Sequence, residues 1–117
     1  MLPPSKVPGA IIYGISGFEL TSDEKSLFKE INPFGFILFS RNCDNPIQII
    51  DLINDLRRVV DRPDAPVFID QEGGSVHRLQ PPHWHLSPAA KIFGAIYEDN
   101  KNTAYEAANL TGRLIAG

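Results

Sequence analysis

Cysteine is nearly missing from this sequence: Cys43 stands alone among 117 residues. An internal disulfide is therefore excluded, and so is any metal site built from paired thiolates. A single cysteine is compatible with a reducing compartment. Charge of one sign is scarce as well. Eleven Lys and Arg face fourteen Asp and Glu, for a formal net charge of −3, which gives no long-range field to attract nucleic acid or an anionic membrane. Aromatic residues make up 9% and are scattered rather than interleaved with basic side chains, which argues against a stacking platform for single strands. Long hydrophobic runs are absent too. The opening "MLPPSKVPGAIIYGISG" has one lysine and no sustained apolar stretch behind it. Neither a signal peptide nor a membrane span is expected, and the cytoplasm is the expected location.

What remains is globular composition, 43% hydrophobic and 21% charged, in a length that suits one domain over 1–117. Three short apolar runs predict buried strands: "AIIYGI" (Ala10 to Ile15), "GFILF" (Gly35 to Phe39) and "PVFI" (Pro66 to Ile69). None alternates strictly with polar residues, so both faces of a parallel sheet are expected to be covered. Between them lie helical patterns. Thr21 and Glu24 have capping-box spacing, and Pro33 stops that helix. Asn45 and Pro46 then open "IQIIDLINDLRRVV", whose Ile49, Ile53, Leu56 and Val60 form an inner stripe. A short helix is expected over "AAKIFGAIY" (Ala89 to Tyr97). Another is expected from Thr103 to Ala116, capped by Thr103 with Glu106 and facing inward through Ala107, Leu110, Leu114 and Ile115.

The order strand, helix, strand, helix, strand, long loop, helix makes the class α/β, with parallel strands and right-handed crossovers. Three such units leave sheet edges open, where self-association is expected. A (β/α)8 barrel takes eight units and about 250 residues, so the chain reads as the front portion of something larger.

The stretch "PVFIDQEGGSVHR" carries the chemistry. In parallel α/β folds functional groups gather at the carboxyl ends of strands. Asp70 sits at such an end, Glu72 two residues on, Gly73 and Gly74 permit a sharp turn, and Arg78 follows. Residue types alone leave three readings open. Asp70 and Glu72 suit a glycosidase carboxylate pair; Asp70 with Arg78 suits an ion pair that pins a loop; carboxylate and guanidinium together suit sugar hydroxyls. His77, His83 and His85 invite a metal, but the proline-bound loop "PPHWHLSP" holds no pair on one face, so no metal and no cofactor are expected. Trp84 reads as a loop anchor. "EGGSV" lacks the following helix a phosphate loop needs, and Cys43 reads as a passive thiol.

"GFILFSRN", "PIQIIDLINDLRRVV" and "FIDQEGGSVHRL", in that order, resemble the N-terminal part of glycoside hydrolase family 3, in the branch of bacterial β-N-acetylhexosaminidases that recycle cell-wall fragments. The resemblance implies the first three βα units of a TIM barrel. It also implies that Asp70 and Arg78 contact the terminal sugar, with Glu72 as a loop support. Ser75 and His77 depart from the usual "DQEGGRVQR". The family's nucleophile, its acid/base histidine and its "KHFPGHG"-like stretch have no counterpart before Gly117, so no catalytic residue is assigned. The expected function is the N-terminal segment of a retaining exo-β-N-acetylglucosaminidase acting on peptidoglycan-derived muropeptides. Its partner is a carbohydrate containing N-acetylglucosamine. The alternative is a truncated non-catalytic remnant serving as a binding or interaction domain.

Overall fold

The computed structural model describes residues 7–116. The chain divides into two compact units, Met1–Ile69 and Asp70–Gly117.

In the first unit a parallel sheet is wound through two helices. Strand β1 (Gly9–Gly14) leads to helix α1 (Ser22–Ile31), strand β2 (Pro33–Leu38), one 3-10 turn (Ser40–Asn42), helix α2 (Pro46–Val59) and strand β3 (Val67–Ile69). The strands lie in sequence order, β1 beside β2 beside β3, and both pairings are parallel. The mixed α/β class with a parallel sheet follows the sequence pattern, and strand ends shift by one or two residues.

Capping sets the helix starts. The Thr21 hydroxyl accepts from the Glu24 amide at 3.1 Å, and a Glu24 carboxylate oxygen accepts from the Thr21 amide at 3.1 Å. The other Glu24 oxygen accepts from the Ser16 amide at 2.9 Å, which ties the β1–α1 loop to the helix. Helix α1 ends before Pro33, at Asn32, whose amide still donates to the Phe28 carbonyl while its left-handed backbone (φ 43°) turns the chain out of the helix. Pro33 is instead the first residue of β2. At α2 the Asn45 side chain accepts from the Gln48 amide at 3.0 Å, one residue before Pro46.

Both helices pack on one face of the sheet. Tyr13, Phe28 and Phe36 meet edge to face, at centroid distances of 5.6 and 5.0 Å. Leu38, Leu52, Leu56 and Val60 complete this core with Ile15, Leu20 and Ala65. The α2 stripe is thus deeper at Leu52 than the sequence pattern indicated, with Ile49 and Ile53 at its partly buried margin. Placing both helices on one side is the outcome of like-handed crossovers between successive neighbouring strands. The expectation of two covered faces is not met. A Cβ on Gly35 would lie 3.2 Å from the Phe68 ring, so Phe68 shares the face opposite Phe36. Phe68 is 41% exposed, and Ile12, of opposite facing to Tyr13 in the pleat, is 48% exposed. The strands read as continuously apolar because this second face is apolar too, not because a helix lies over it.

Asn42 locks the loops that follow β1 and β2. Its Nδ2 donates to the carbonyls of Ile15 (3.0 Å) and Gly17 (2.8 Å), and its Oδ1 accepts from the Phe39 amide (2.9 Å). It is fully buried. Arg41 adds a bond from Nε to Ile15 O at 2.8 Å, and its guanidinium lies 4.9 Å from the Phe39 ring centre.

The second unit contains a small antiparallel hairpin, β4 (Gln71–Gly73) with β5 (Val76–His77), where the sequence suggested only a loop. Two helices follow, α3 (Ala90–Asp99) and α4 (Lys101–Ala116). Helix α4 starts two residues before Thr103. Its cap is Asn100, whose Oδ1 accepts from the Thr103 amide at 3.0 Å while its own amide closes α3 on Ile96 O. The Thr103–Glu106 box is therefore not used. Nor do Leu110, Leu114 and Ile115 face a core: they are 58%, 50% and 41% exposed, and Ala104 is the buried residue of α4. No helix among the described residues is long and apolar enough to cross a membrane.

Candidate functional site

Asp70 follows β3 directly and opens the second unit. Within that unit its Oδ2 lies 3.7 Å from Nη2 of Arg78, with side chains 45% and 29% exposed respectively. The separation makes an ion pair rather than a close hydrogen bond. A partly exposed pair of this kind contributes little to stability; chemically, the carboxylate is an acceptor and the guanidinium a donor. Of the three readings, the structure brings Asp70 together with Arg78. Glu72 is exposed on β4, and among the described residues the ion pair of Arg78 is with Asp70.

The hairpin explains how residues eight apart in sequence meet. Gly73 and Gly74 have φ of 84° and 63°, values glycine adopts without strain. They are also crowded: a Cβ on Gly73 would fall 2.1 Å from Pro88 O, and one on Gly74 2.7 Å from the Ala89 Cβ. The Gly74 amide donates to Ser87 O at 3.0 Å. The turn is thus seated on the 87–89 segment, and the chain returns past Asp70.

Gln71, which the sequence reading passed over, is the side chain that fastens this return. Its Oε1 accepts from the amides of Arg78 (2.9 Å) and Leu79 (3.0 Å), and its Nε2 donates to Leu79 O (3.1 Å). Two backbone donors on Oε1 fix the amide's orientation. Nε2 therefore faces Nδ1 of His77, 3.4 Å away, which acts as the acceptor. The loop support expected of Glu72 is supplied by Gln71 instead. The only available signal was its place between Asp70 and Glu72 in the motif.

His77 belongs to this arrangement as a buried residue of β5, and Gln80 Nε2 donates to its carbonyl at 2.9 Å. The remaining candidates stay outside it. His83 stacks edge-on against Trp84, at 5.7 Å between ring centres. No group of three or more His, Cys, Asp or Glu among the described residues is placed to hold a metal ion. Cys43 is half-buried with its thiol donating to Phe39 O at 3.3 Å, and burial pushes its pKa up, away from a reactive thiolate. In the first unit a groove of about 570 Å³ runs between the β1–α1 loop and α2. Its charges come in both signs, and Arg58 is paired with Asp55, so it offers no convergent set.

A parallel sheet wound with its helices on one face, followed in sequence by a carboxylate–guanidinium pair, describes a segment of an α/β protein. Comparison with known proteins narrows the class. No family model matches the chain. Among curated relatives, beta-hexosaminidases of Alkalilimnicola ehrlichii and Pseudomonas aeruginosa are each 34% identical over 92% of the chain. The Bordetella avium beta-hexosaminidase is 29% identical over 93%. The chain spans about 30% of the length of these relatives.

Among solved structures, NagZ from Neisseria gonorrhoeae in complex with N-trifluoroacetyl-D-glucosamine superposes with a TM-score of 0.83. It is 32% identical and matches 93% of this chain and 32% of its own. A glycoside hydrolase family 3 beta-N-acetylglucosaminidase from Paenibacillus sp. gives a TM-score of 0.74 at 33% identity, over 92% of this chain and 20% of its own. The chain is thus similar to the N-terminal part of proteins named beta-hexosaminidase and of the NagZ structures.

Proposed function

We propose that this chain forms the N-terminal, sugar-contacting part of a retaining exo-β-N-acetylglucosaminidase, as one domain over 1–117 that contributes three βα units to a (β/α)8 barrel. Asp70 accepts hydrogen bonds from hydroxyls of the terminal sugar and Arg78 donates to a neighbouring oxygen. The observation that carries this reading is the 3.7 Å Asp70–Arg78 pair, which follows a parallel strand in sequence, in a chain that superposes on a NagZ bound to an acylated glucosamine. Opposite charges at that spacing match the donor and acceptor halves of adjacent sugar oxygens. Winding both helices of the first unit to one side of its sheet suits a closed barrel better than a doubly wound sheet. The substrate class is a terminal N-acetylglucosamine, and the reading extends to peptidoglycan-derived muropeptides recycled in the cytoplasm. No residue of this chain is assigned as nucleophile or acid/base.

Titration of the chain with N-acetylglucosamine, followed by heteronuclear NMR, tests the reading. Asp70→Ala and Arg78→Met should each weaken binding at least about tenfold, the loss of one charge-assisted bond. Unchanged affinity in both variants would refute the assigned contacts.

A second reading rests on the exposed apolar sheet face at Ile12 and Phe68. A non-catalytic interaction domain would use this face and the outer edges of β1 and β3 to associate with itself. Sedimentation across a hundredfold concentration range decides it: a constant monomer mass removes this second reading.

A further inference from the structure

We infer that Gln71 is the positioning residue of the Asp70–Arg78 pair: its carboxamide acts as a surrogate peptide group that fixes the Arg78 guanidinium relative to Asp70. The inference deepens the sugar-site reading above and rests on it for its functional meaning, though not for its geometry.

The antiparallel ladder pairs Gln71 with His77 and then ends. Arg78 and Leu79 leave the ladder with backbone groups that need new partners. The Gln71 side chain supplies them. One oxygen takes both amides, at 2.9 and 3.0 Å, and the NH2 group meets the Leu79 carbonyl at 3.1 Å. This is the donor and acceptor pattern of a neighbouring strand, delivered by a side chain.

The result is a closed ring. Asp70 is bonded to Gln71 along the backbone, and Gln71 holds the backbone of Arg78 through its side chain. The Arg78 guanidinium then returns to Asp70 at 3.7 Å. An arginine side chain has many rotamers, and a mobile anchor would multiply them. Fixing the anchor from the residue beside Asp70 ties both halves of the pair to one frame. The seated Gly73–Gly74 turn prevents the hairpin from relaxing, because Pro88 O and Ala89 already fill the space on its outer side.

The role predicts more than a loss of stability. Gln71→Met keeps the length and bulk of the side chain but removes its bonds to Arg78, Leu79 and His77. In the ligand-free chain, hydrogen exchange at the Arg78 and Leu79 amides should quicken at least about tenfold. Exchange at the Arg78 Nε–H should quicken with it, while the Phe36 amide in β2 remains protected. A purely structural staple would free the two amides yet leave the Nε–H signal within twofold of wild type, and that result overturns the inference. Gln71→Asn keeps the carboxamide but is one methylene too short to span the gap. It provides the same reading if the methionine variant does not fold. N-acetylglucosamine is then added to each protein. A wild-type response that weakens at least tenfold in Gln71→Met supports both conclusions. No response from wild type refutes the sugar site, and the ligand-free exchange still decides the role of Gln71.

Discussion

Removing the side chain of Asn42 provides the sharpest energetic test of the fold. Asn42→Ala deletes three bonds, but they are not equivalent. Ile15 O keeps a partner, because Arg41 Nε still donates to it at 2.8 Å. Gly17 O and the Phe39 amide each lose the partner that Asn42 provides. Both of these bonds are part-buried, so each is worth about 0.5–1.5 kcal/mol and the two together about 1–3 kcal/mol, against a total stability of about 5–15 kcal/mol for a typical domain. With a urea m-value of about 2 kcal/mol/M, the unfolding midpoint should fall by about 0.5–1.5 M. Arg41→Met is the internal control. It leaves Ile15 O bonded to Asn42, so its cost should be no more than about 1 kcal/mol. The measurement is equilibrium urea unfolding followed by circular dichroism. A loss below about 0.5 kcal/mol for Asn42→Ala would refute the claim that this side chain locks the strand-end loops. Asn42→Asp adds a pH signature. A buried carboxylate facing two carbonyls has a folded pKa above its unfolded value, so the penalty is absent at low pH and grows as pH climbs through the unfolded pKa.

Further outcomes follow from other positions. Burial raises the Glu24 pKa, but hydrogen bonds from Ser16 and Thr21 outweigh it and hold the group below its ordinary 4.5. Its contribution is therefore present above the unfolded pKa and lost as pH falls through the folded one. The stability gap between wild type and Glu24→Gln should narrow on acidification, and a gap independent of pH would contradict the capping role. Gly94→Ala in α3 should raise the melting temperature, by about 0.5–1 kcal/mol of stability, because a Cβ there meets nothing within 4 Å. Gly73→Ala should lower it, since the new carbon collides with Pro88 O in a left-handed backbone; equal melting temperatures for the two variants would refute both assignments. Cys43 should react with a disulfide reagent at least about tenfold faster in urea than in the native chain, read by absorbance. Equal rates would show the thiol to be open.

Local chemistry made much of this legible in advance. The Thr21–Glu24 box, the Asn45–Pro46 start and the three apolar strands each depend on residues close in sequence, so their signals survive without knowledge of the fold. Asp70 at a strand end was equally visible, because a carboxylate closing an apolar run has few other meanings. The long-range choices were not. Thr103 and Asn100 both suit a helix cap, and only the joint between α3 and α4 gives the place to Asn100. Leu110, Leu114 and Ile115 have the spacing of an inner face, but spacing cannot say whether anything lies opposite.

By itself, then, the sequence determined that β1, β2 and β3 become strands, where α1 and α2 start, and which charged residues stand at the end of β3. Tertiary structure decided which sheet face the helices cover, that Asp70 meets Arg78 while Glu72 is exposed, and that Gln71 holds the returning chain. The physical reason is range. Capping and periodicity act over three or four residues, whereas a side chain that replaces a neighbouring strand acts only after the Gly73–Gly74 turn has brought residues 71 and 79 together.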